Sequence, residues 1–370
     1  MENSSKNLHT EFFDHFQYDK KNDYHWNIVS VSKDDQNKRS VFCGTNKEDK
    51  NDCIYVKQIK LFFEDNDNND NYINTEILKE IYFLVLLRKQ KYIVHIDDIL
   101  LDKYDDCKRL FLIFKGNCVS LNKLISYGGN DYLSNKDLIK WIIYQISFGL
   151  YILHSNNIIH NDIKPSNILI DQKGGVTICD FGSTTYKEED SFSYTRYYAP
   201  PEFLNDVNIR RDEKSDIWAL GVILVELHLK QNCYFKNIKN DDKSNDIQLR
   251  HILKKSGINE NIDKNLIKQL INCQNSKKVL FTVEEIKKIN DQDVIDLLQH
   301  LLCLNPKERY TAEQVLKSKY LNLPILKGID SFDISKIKEE KIYSKLYELI
   351  DKNKFLDIIF DFSYILNQSK

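Results

Sequence analysis

The run HNDIKPSNILI at residues 160–170 places a carboxylate (Asp162), an ammonium (Lys164) and a carboxamide (Asn167) close together, ahead of an apolar stretch that reads as a buried strand. Asp180 follows in DFG, after the β-like run VTIC. Transfer of a γ-phosphoryl group asks little covalent chemistry of a protein. It needs metal ligands, neutralisation of charge, and a carboxylate that orients the attacking hydroxyl. This stretch can supply all three. Asp162 is the candidate base, and Lys164 can reach the transferring group as a point charge. Asn167 offers a carbonyl oxygen to a hard divalent ion and Asp180 a second oxygen, so Mg²⁺ would sit between them.

Something must position these groups. Between about 26 and 115 the chain offers short β-rich runs (WNIVSV, SVFCG, CIYVKQIKLFF, VHIDDILL, RLFLIF) separated by polar turns, with one helical pattern, TEILKEIYFLVLL, after the third. From about 120 amphipathic helical patterns dominate: SNKDLIKWIIYQISFGLYILHSN, SDIWALGVILVELHL, QDVIDLLQHLLCL and TAEQVLKSKYL. The expected class is α+β, a small β-rich lobe with one helix followed by a larger, mainly helical lobe. GNCVSLNKL at 116–124 is the expected connector, and catalytic sites commonly lie in clefts between lobes. After 325, ISKIKEEKIYSKLYELIDKNKFLDIIFDFSYIL has apolar residues at helical spacing and reads as extra helices packed on the large lobe, or as a partner-docking helix.

The 370 residues allow two or three ordinary domains or one large two-lobed unit. Lys and Arg number 53 against 55 Asp and Glu, so no bulk charge points to nucleic acid or to a membrane surface. The N-terminal MENSSKNLHTEFFDHF does not resemble a secretory signal. No window approaches the roughly 18–20 apolar residues that span a bilayer. Eight scattered cysteines without a C-x-x-C pair lead us to expect reduced thiols and a cytoplasmic or nuclear protein. EDNDNNDNY at 64–72 reads as a solvated loop.

HNDIKPSN with DFG resembles the catalytic and metal loops of the eukaryotic-type serine/threonine protein kinases, and other motifs follow in that family's order. The resemblance implies a bilobal fold and the following roles. Lys57 in IYVK would hold the α and β phosphates, and Glu80 in KEIYFL would pair with it. Phe114 would be the gatekeeper before a hinge at 115–118, where the backbone of Lys115 to Asn117 meets adenine. Val31, Val41, Tyr55 and Leu169 would line the nucleotide, with Asp180 on the metal. PPE at 200–202 stands where the family has A-P-E, and its Glu202 would pair with Arg309. Asp216 would brace the catalytic loop's backbone, and Thr195 would contact Asp162 and Lys164. Lys164 in DIKPSN is the serine/threonine pattern, and SYTRYYAPPE is similar to the cyclin-dependent and MAP kinase group. The expected organisation is an N-terminal extension (1–26), a kinase domain (27–325, N-lobe to about 115, C-lobe from about 119) and a C-terminal helical extension (326–370).

Three departures stand out. Where the family has G-x-G-x-x-G, this chain has VSKDDQNKRSV, with Asp34, Gln36 and Arg39 at the aligned positions; Lys38 or Arg39 could supply by charge what close backbone approach normally supplies. Tyr55 replaces a small alanine over the adenine. Asn161 replaces the arginine before the catalytic Asp, which implies activity that needs no phosphorylation of the following segment. The expected activity is transfer of the γ-phosphoryl group of Mg-ATP to Ser/Thr hydroxyls of protein substrates, with ATP and Mg²⁺ required and a regulatory partner acting through the C-terminal helices. The rival reading is a pseudokinase, a binding or scaffold module; a small-molecule kinase of the same fold is a third. His160 is expected to be a packed, structural histidine.

Overall fold

The computed structural model describes residues 26–33, 39–46, 53–61, 75–104, 107–116, 118–128, 132–171, 173–187, 194–206, 209–235, 244–259, 263–273 and 278–321. They fall into two compact units, one from residues within 26–88 and 94–116, the other from 89–93 and 118–321. The helices expected after 325, the N-terminal extension, Asn117, the segment 34–38 and the EDNDNNDNY run lie outside the described residues.

The first unit is an antiparallel sheet in the order β1-β2-β3-β5-β4: β1 (Trp26–Lys33), β2 (Arg39–Asn46), β3 (Cys53–Leu61), β4 (Asp98–Tyr104) and β5 (Cys107–Lys115). Side chains alternate between the faces of a strand. Ile54 and Val56 of β3 join Phe42, Phe111 and Ile113 in one buried apolar cluster, so Tyr55 and Lys57 belong to the opposite face. Helix α1 (Thr75–Leu87) spans the expected segment, and Ile77, Leu78, Ile81, Leu84 and Val85 bury its apolar stripe. One expectation needs correcting: VHIDDILL is strand only from Asp98. The Asp97 carboxylate accepts the Lys115 N–H at 2.6 Å, so a side chain takes a backbone donor that a longer ladder would have used.

In the second unit α2 (Lys136–Ser155) starts on Asn135, whose side chain accepts from the N–H groups of Asp137 and Leu138. Short strands follow: β6 (Cys118–Ser120), β8 (Ile168–Asp171) and β9 (Val176–Ile178) form one sheet, and β7 (Ile158–Ile159) pairs with β10 (Thr185–Tyr186). The connector expected at 116–124 is thus partly strand, because Cys118–Ser120 pairs with β8. Helix α3 is Pro201–Asn205. Helix α4 (Lys214–Leu229) is buried from Ser215 through His228, the pattern of a central helix packed on every side. A Cβ at Gly221 would stand 2.8 Å from Leu301 Cβ, so this glycine lets α4 approach α8 (Gln292–Leu301) closely. Further helices include α5 (Asn245–Lys255), α6 (Lys264–Asn272), α7 (Val283–Ile289) and α9 (Ala312–Leu316). Among the described residues, no helix is long and apolar enough to cross a membrane, and seven cysteines are free thiols.

Candidate active site

In the first unit, the register of β2, β3 and β5 sets Lys57 between Val41 and Leu112, and Tyr55 between Cys43 and Phe114. Val41, Tyr55, Lys57 and Phe114, all named from the sequence, therefore share one face of the sheet. Lys57 Nζ donates to Glu80 Oε1 of α1 at 2.5 Å, and Glu80 is 1% exposed. A carboxylate so deep in a core is kept there by a cation. Val31 sits where the β1 register shifts between Ser30 and Ser32, and Lys115 ends β5.

In the second unit, the loop between β7 and β8 is organised by one buried carboxylate. Asp216, in the first turn of α4, accepts the N–H of His160 at 2.9 Å through Oδ2 and that of Asn161 at 3.0 Å through Oδ1. It also meets His154 Nε2 at 2.9 Å. Asp216 was named from the resemblance as the brace of this loop's backbone. His160 is fully buried, and its Nε2 lies 3.1 Å from Cys179 O. A carbonyl only accepts, so Nε2 carries the proton and Nδ1 accepts the Asp162 N–H at 3.3 Å. That is the structural histidine expected from the sequence.

The side chains of Asp162, Lys164, Asn167 and Thr195 converge. Thr195 donates its hydroxyl proton to Asp162 Oδ1 at 2.6 Å and accepts from Lys164 Nζ at 2.8 Å. Lys164 Nζ also reaches Asp162 Oδ2 at 2.6 Å. Asn167 Nδ2 donates to Asp162 O at 2.9 Å and to Oδ2 at 3.1 Å. With its amide nitrogen committed to Asp162, Asn167 has its carbonyl oxygen left for a hard cation. Cys179 N–H donates to Asn167 O at 2.9 Å, which fixes the chain just before Asp180 to this loop. Asp180 itself is left-handed, φ 67. Among the described residues no group of three or more His, Cys, Asp or Glu side chains is arranged to hold a metal on its own. Mg²⁺ held by one or two protein oxygens and completed by phosphates fits this donor set. Leu169, in β8, is half-buried.

Glu202 of α3 and Arg309 form a bidentate pair at 2.7 and 2.6 Å, as named from the sequence. Two groups were missed. Glu226, fully buried in α4, accepts from Tyr198 OH at 3.1 Å and from Tyr234 N–H at 2.8 Å; burial pushes its carboxyl up to about 7. The signal was available, since it is the one acid in WALGVILVELHL. Arg211 is buried with its guanidinium 5.0 Å from the Tyr194 ring and 4.4 Å from the Phe203 ring, and nothing in its surrounding sequence announces that stacking.

Residues 39–321 match the family model described as a protein kinase domain. The chain belongs to the protein kinase family. Among curated relatives, this kinase-family chain is 30% identical over 256 residues to mitogen-activated protein kinase mpkC of Aspergillus fumigatus, covering 66% of this chain and 62% of that protein. It is 28% identical to extracellular signal-regulated kinase 7 of Drosophila melanogaster over 84% of this chain and 35% of that protein. Against a probable CTD kinase subunit alpha homolog of Encephalitozoon cuniculi the identity is 33%, over 49% of this chain and 55% of that one. The chain thus spans less than two thirds of the length of each. These relatives agree with the group suggested by SYTRYYAPPE. The kinase fold is also that of the yeast RNA Pol II CTD kinase CTDK-1 complex, with a TM-score of 0.62 at 22% identity, covering 80% of this chain and 92% of that one.

Proposed function

We propose that this chain is a protein kinase that transfers the γ-phosphoryl group of Mg-ATP to Ser and Thr hydroxyls of protein substrates, with residues 27–325 as its catalytic domain. One observation carries the reading: both oxygens of Asp162 are held, Oδ1 by the Thr195 hydroxyl and Oδ2 by the Lys164 ammonium and the Asn167 amide. Such a carboxylate is pre-oriented, and a substrate hydroxyl arriving there donates to it as the Thr195 hydroxyl does. Asp162 then orients the nucleophile and takes its proton. Lys164 balances charge beside it, and Lys57, set by Glu80, holds phosphate oxygens. Asn167 and Asp180 would hold Mg²⁺, which supplies neutralisation of phosphate charge. ATP, Mg²⁺ and a cytoplasmic or nuclear setting belong to this reading. So does a regulatory partner, since the solved neighbour is named as a complex.

A second reading has one observation in its favour. The Tyr55 ring shares a sheet face with Lys57 and Phe114, and a bulky ring there restricts the space for a base. A scaffold module would bind substrates without turnover. Phosphate transfer to a generic basic protein, with thermal shift in Mg-ATP, separates the two: wild type should show both and Asp162→Asn only the shift. Equal transfer by Asp162→Asn would remove Asp162 from the chemistry, and absence of both signals in wild type would favour the scaffold.

A further inference from the structure

Asn161 immediately precedes Asp162 and has a left-handed backbone, φ 65, which Asn adopts more readily than most residues with a Cβ. It is 7% exposed. Its Nδ2 stands 3.0 Å from Ser183 O, 2.9 Å from Thr185 Oγ1 and 3.3 Å from Ile159 O. Two of these partners are carbonyls, which only accept, so the nitrogen must face them. The segment 183–187 is stitched to the same region at further points. Thr184 Oγ1 donates to His160 O at 3.4 Å, Thr185 and Tyr186 pair with Ile159 and Ile158, and Lys187 N–H donates to Asn157 O at 2.7 Å. On its other side Asn161 lines a small cavity with Thr195, Tyr198, Ala199 and Pro200. It therefore bonds the segment after Asp180 near its start and shares a cavity lining with residues near its end.

We propose that Asn161 is a positioning residue, an uncharged latch whose carboxamide holds residues 183–185 against the loop carrying Asp162 without any phosphate group. Donation to a carbonyl and a hydroxyl needs no counter-ion, whereas a buried guanidinium would require an anion beside it. The latch rests on the reading of Asp162 as the transfer base, and its test is built to fail separately from that reading.

The full chain is compared with Asn161→Gly, which keeps the left-handed backbone and removes the carboxamide. Thr185→Val removes the hydroxyl acceptor, and the double variant joins them. Thr185→Val should lower kcat about tenfold, the worth of one buried hydrogen bond expressed in the transition state, and Asn161→Gly, which also removes the bonds to Ser183 O and Ile159 O, at least as much. KM for Mg-ATP should stay within about twofold, because the latch acts on orientation and not on nucleotide binding. The double variant should be no slower than Asn161→Gly, since both remove the same contact. Hydrogen exchange over 183–187 should speed up in both. An unchanged kcat, multiplicative losses in the double variant, or exchange equal to wild type would each overturn the latch. If wild type transfers no phosphate, the reading of Asp162 falls and exchange alone decides the latch: faster supports it, unchanged overturns it. Should Asn161→Gly not fold, Asn161→Asp keeps the turn but sets an acceptor against Ser183 O. Loss of kcat there supports the latch, and wild-type kcat overturns it.

Discussion

Arg309 donates all five of its N–H groups, two of them in parallel to Glu202. Nη1 and Nη2 reach the two carboxylate oxygens at 2.7 and 2.6 Å, while Cys303 O, Leu304 O and Lys214 O take the other three protons. The guanidinium is also 4.9 Å from the Trp218 ring, and its side chain has no exposed surface. The pair ties α3 to the residues before α9 across more than a hundred positions of sequence.

Breaking such a pair from one side leaves an uncompensated buried charge, at a cost of about 3–5 kcal/mol. Arg309→Met and Glu202→Gln should each destabilise the fold by about that much in urea unfolding. Combining Arg309→Met with Glu202→Gln should cost less than the sum of the two single changes, because no lone charge remains. Additive losses would show that the two side chains act independently.

Thr195 both donates to Asp162 and accepts from Lys164, and a hydroxyl is needed for both. Thr195→Ser should keep kcat within a few-fold, and Thr195→Val should lower it by about ten- to a hundredfold with little change in stability. Steady-state kinetics on one protein substrate decides it. A Val variant as active as the Ser variant would refute the role.

Glu226 and His228 stand two residues apart in α4 and titrate in opposite senses. Burial moves Glu226 from 4.5 up to about 7, and His228 from 6.5 down to about 4. The folded state holds the Glu226 proton more tightly than the unfolded chain does, so stability falls as pH rises from 4.5 to about 7. For His228 the unfolded chain holds the proton more tightly, so stability rises with pH from about 4 to 6.5. Each swing is about 3 kcal/mol, and they oppose one another where they overlap. Glu226→Gln should leave the rising slope and His228→Asn the falling one, read as urea midpoints across this range. Two flat profiles would sink both assignments.

Tyr55 shares its sheet face with Lys57 and Phe114, flanked by Cys43 and Phe114 across the strands. If the ring limits room for a base, Tyr55→Ala should tighten Mg-ATP binding several-fold in calorimetry, with the melting temperature of the free protein within a few degrees. Weaker binding would instead make the ring part of the nucleotide's packing surface.

Much of this was legible in the residues alone. Alternating and 3.6-residue apolar periods marked the strands and the long helices, since those periods are local consequences of backbone geometry. TEILKEIYFLVLL became α1 with both ends where the pattern stops. The charged and amide residues of HNDIKPSN were singled out by type and spacing, and the distant Thr195 only through the family resemblance. What escaped depends on neighbours remote in sequence. VHIDDILL kept only its second half as strand, because Asp97 caps a backbone donor on β5. Arg211 found two aromatic faces that no local pattern predicts.

The sequence by itself determined which chemical groups are present and which strands and helices carry them, because period, spacing and side-chain type are written along the chain. Only the tertiary structure decided how those groups meet. The Asp216 carboxylate, over fifty residues away, accepts two backbone N–H groups of the loop carrying Asp162, at 2.9 and 3.0 Å. Asn161, which the sequence offered as a missing arginine, turns out to bond the segment after Asp180 through its carboxamide. Hydrogen bonds are short and directional, so their partners are set by where the folded chain returns to itself, and not by distance along it.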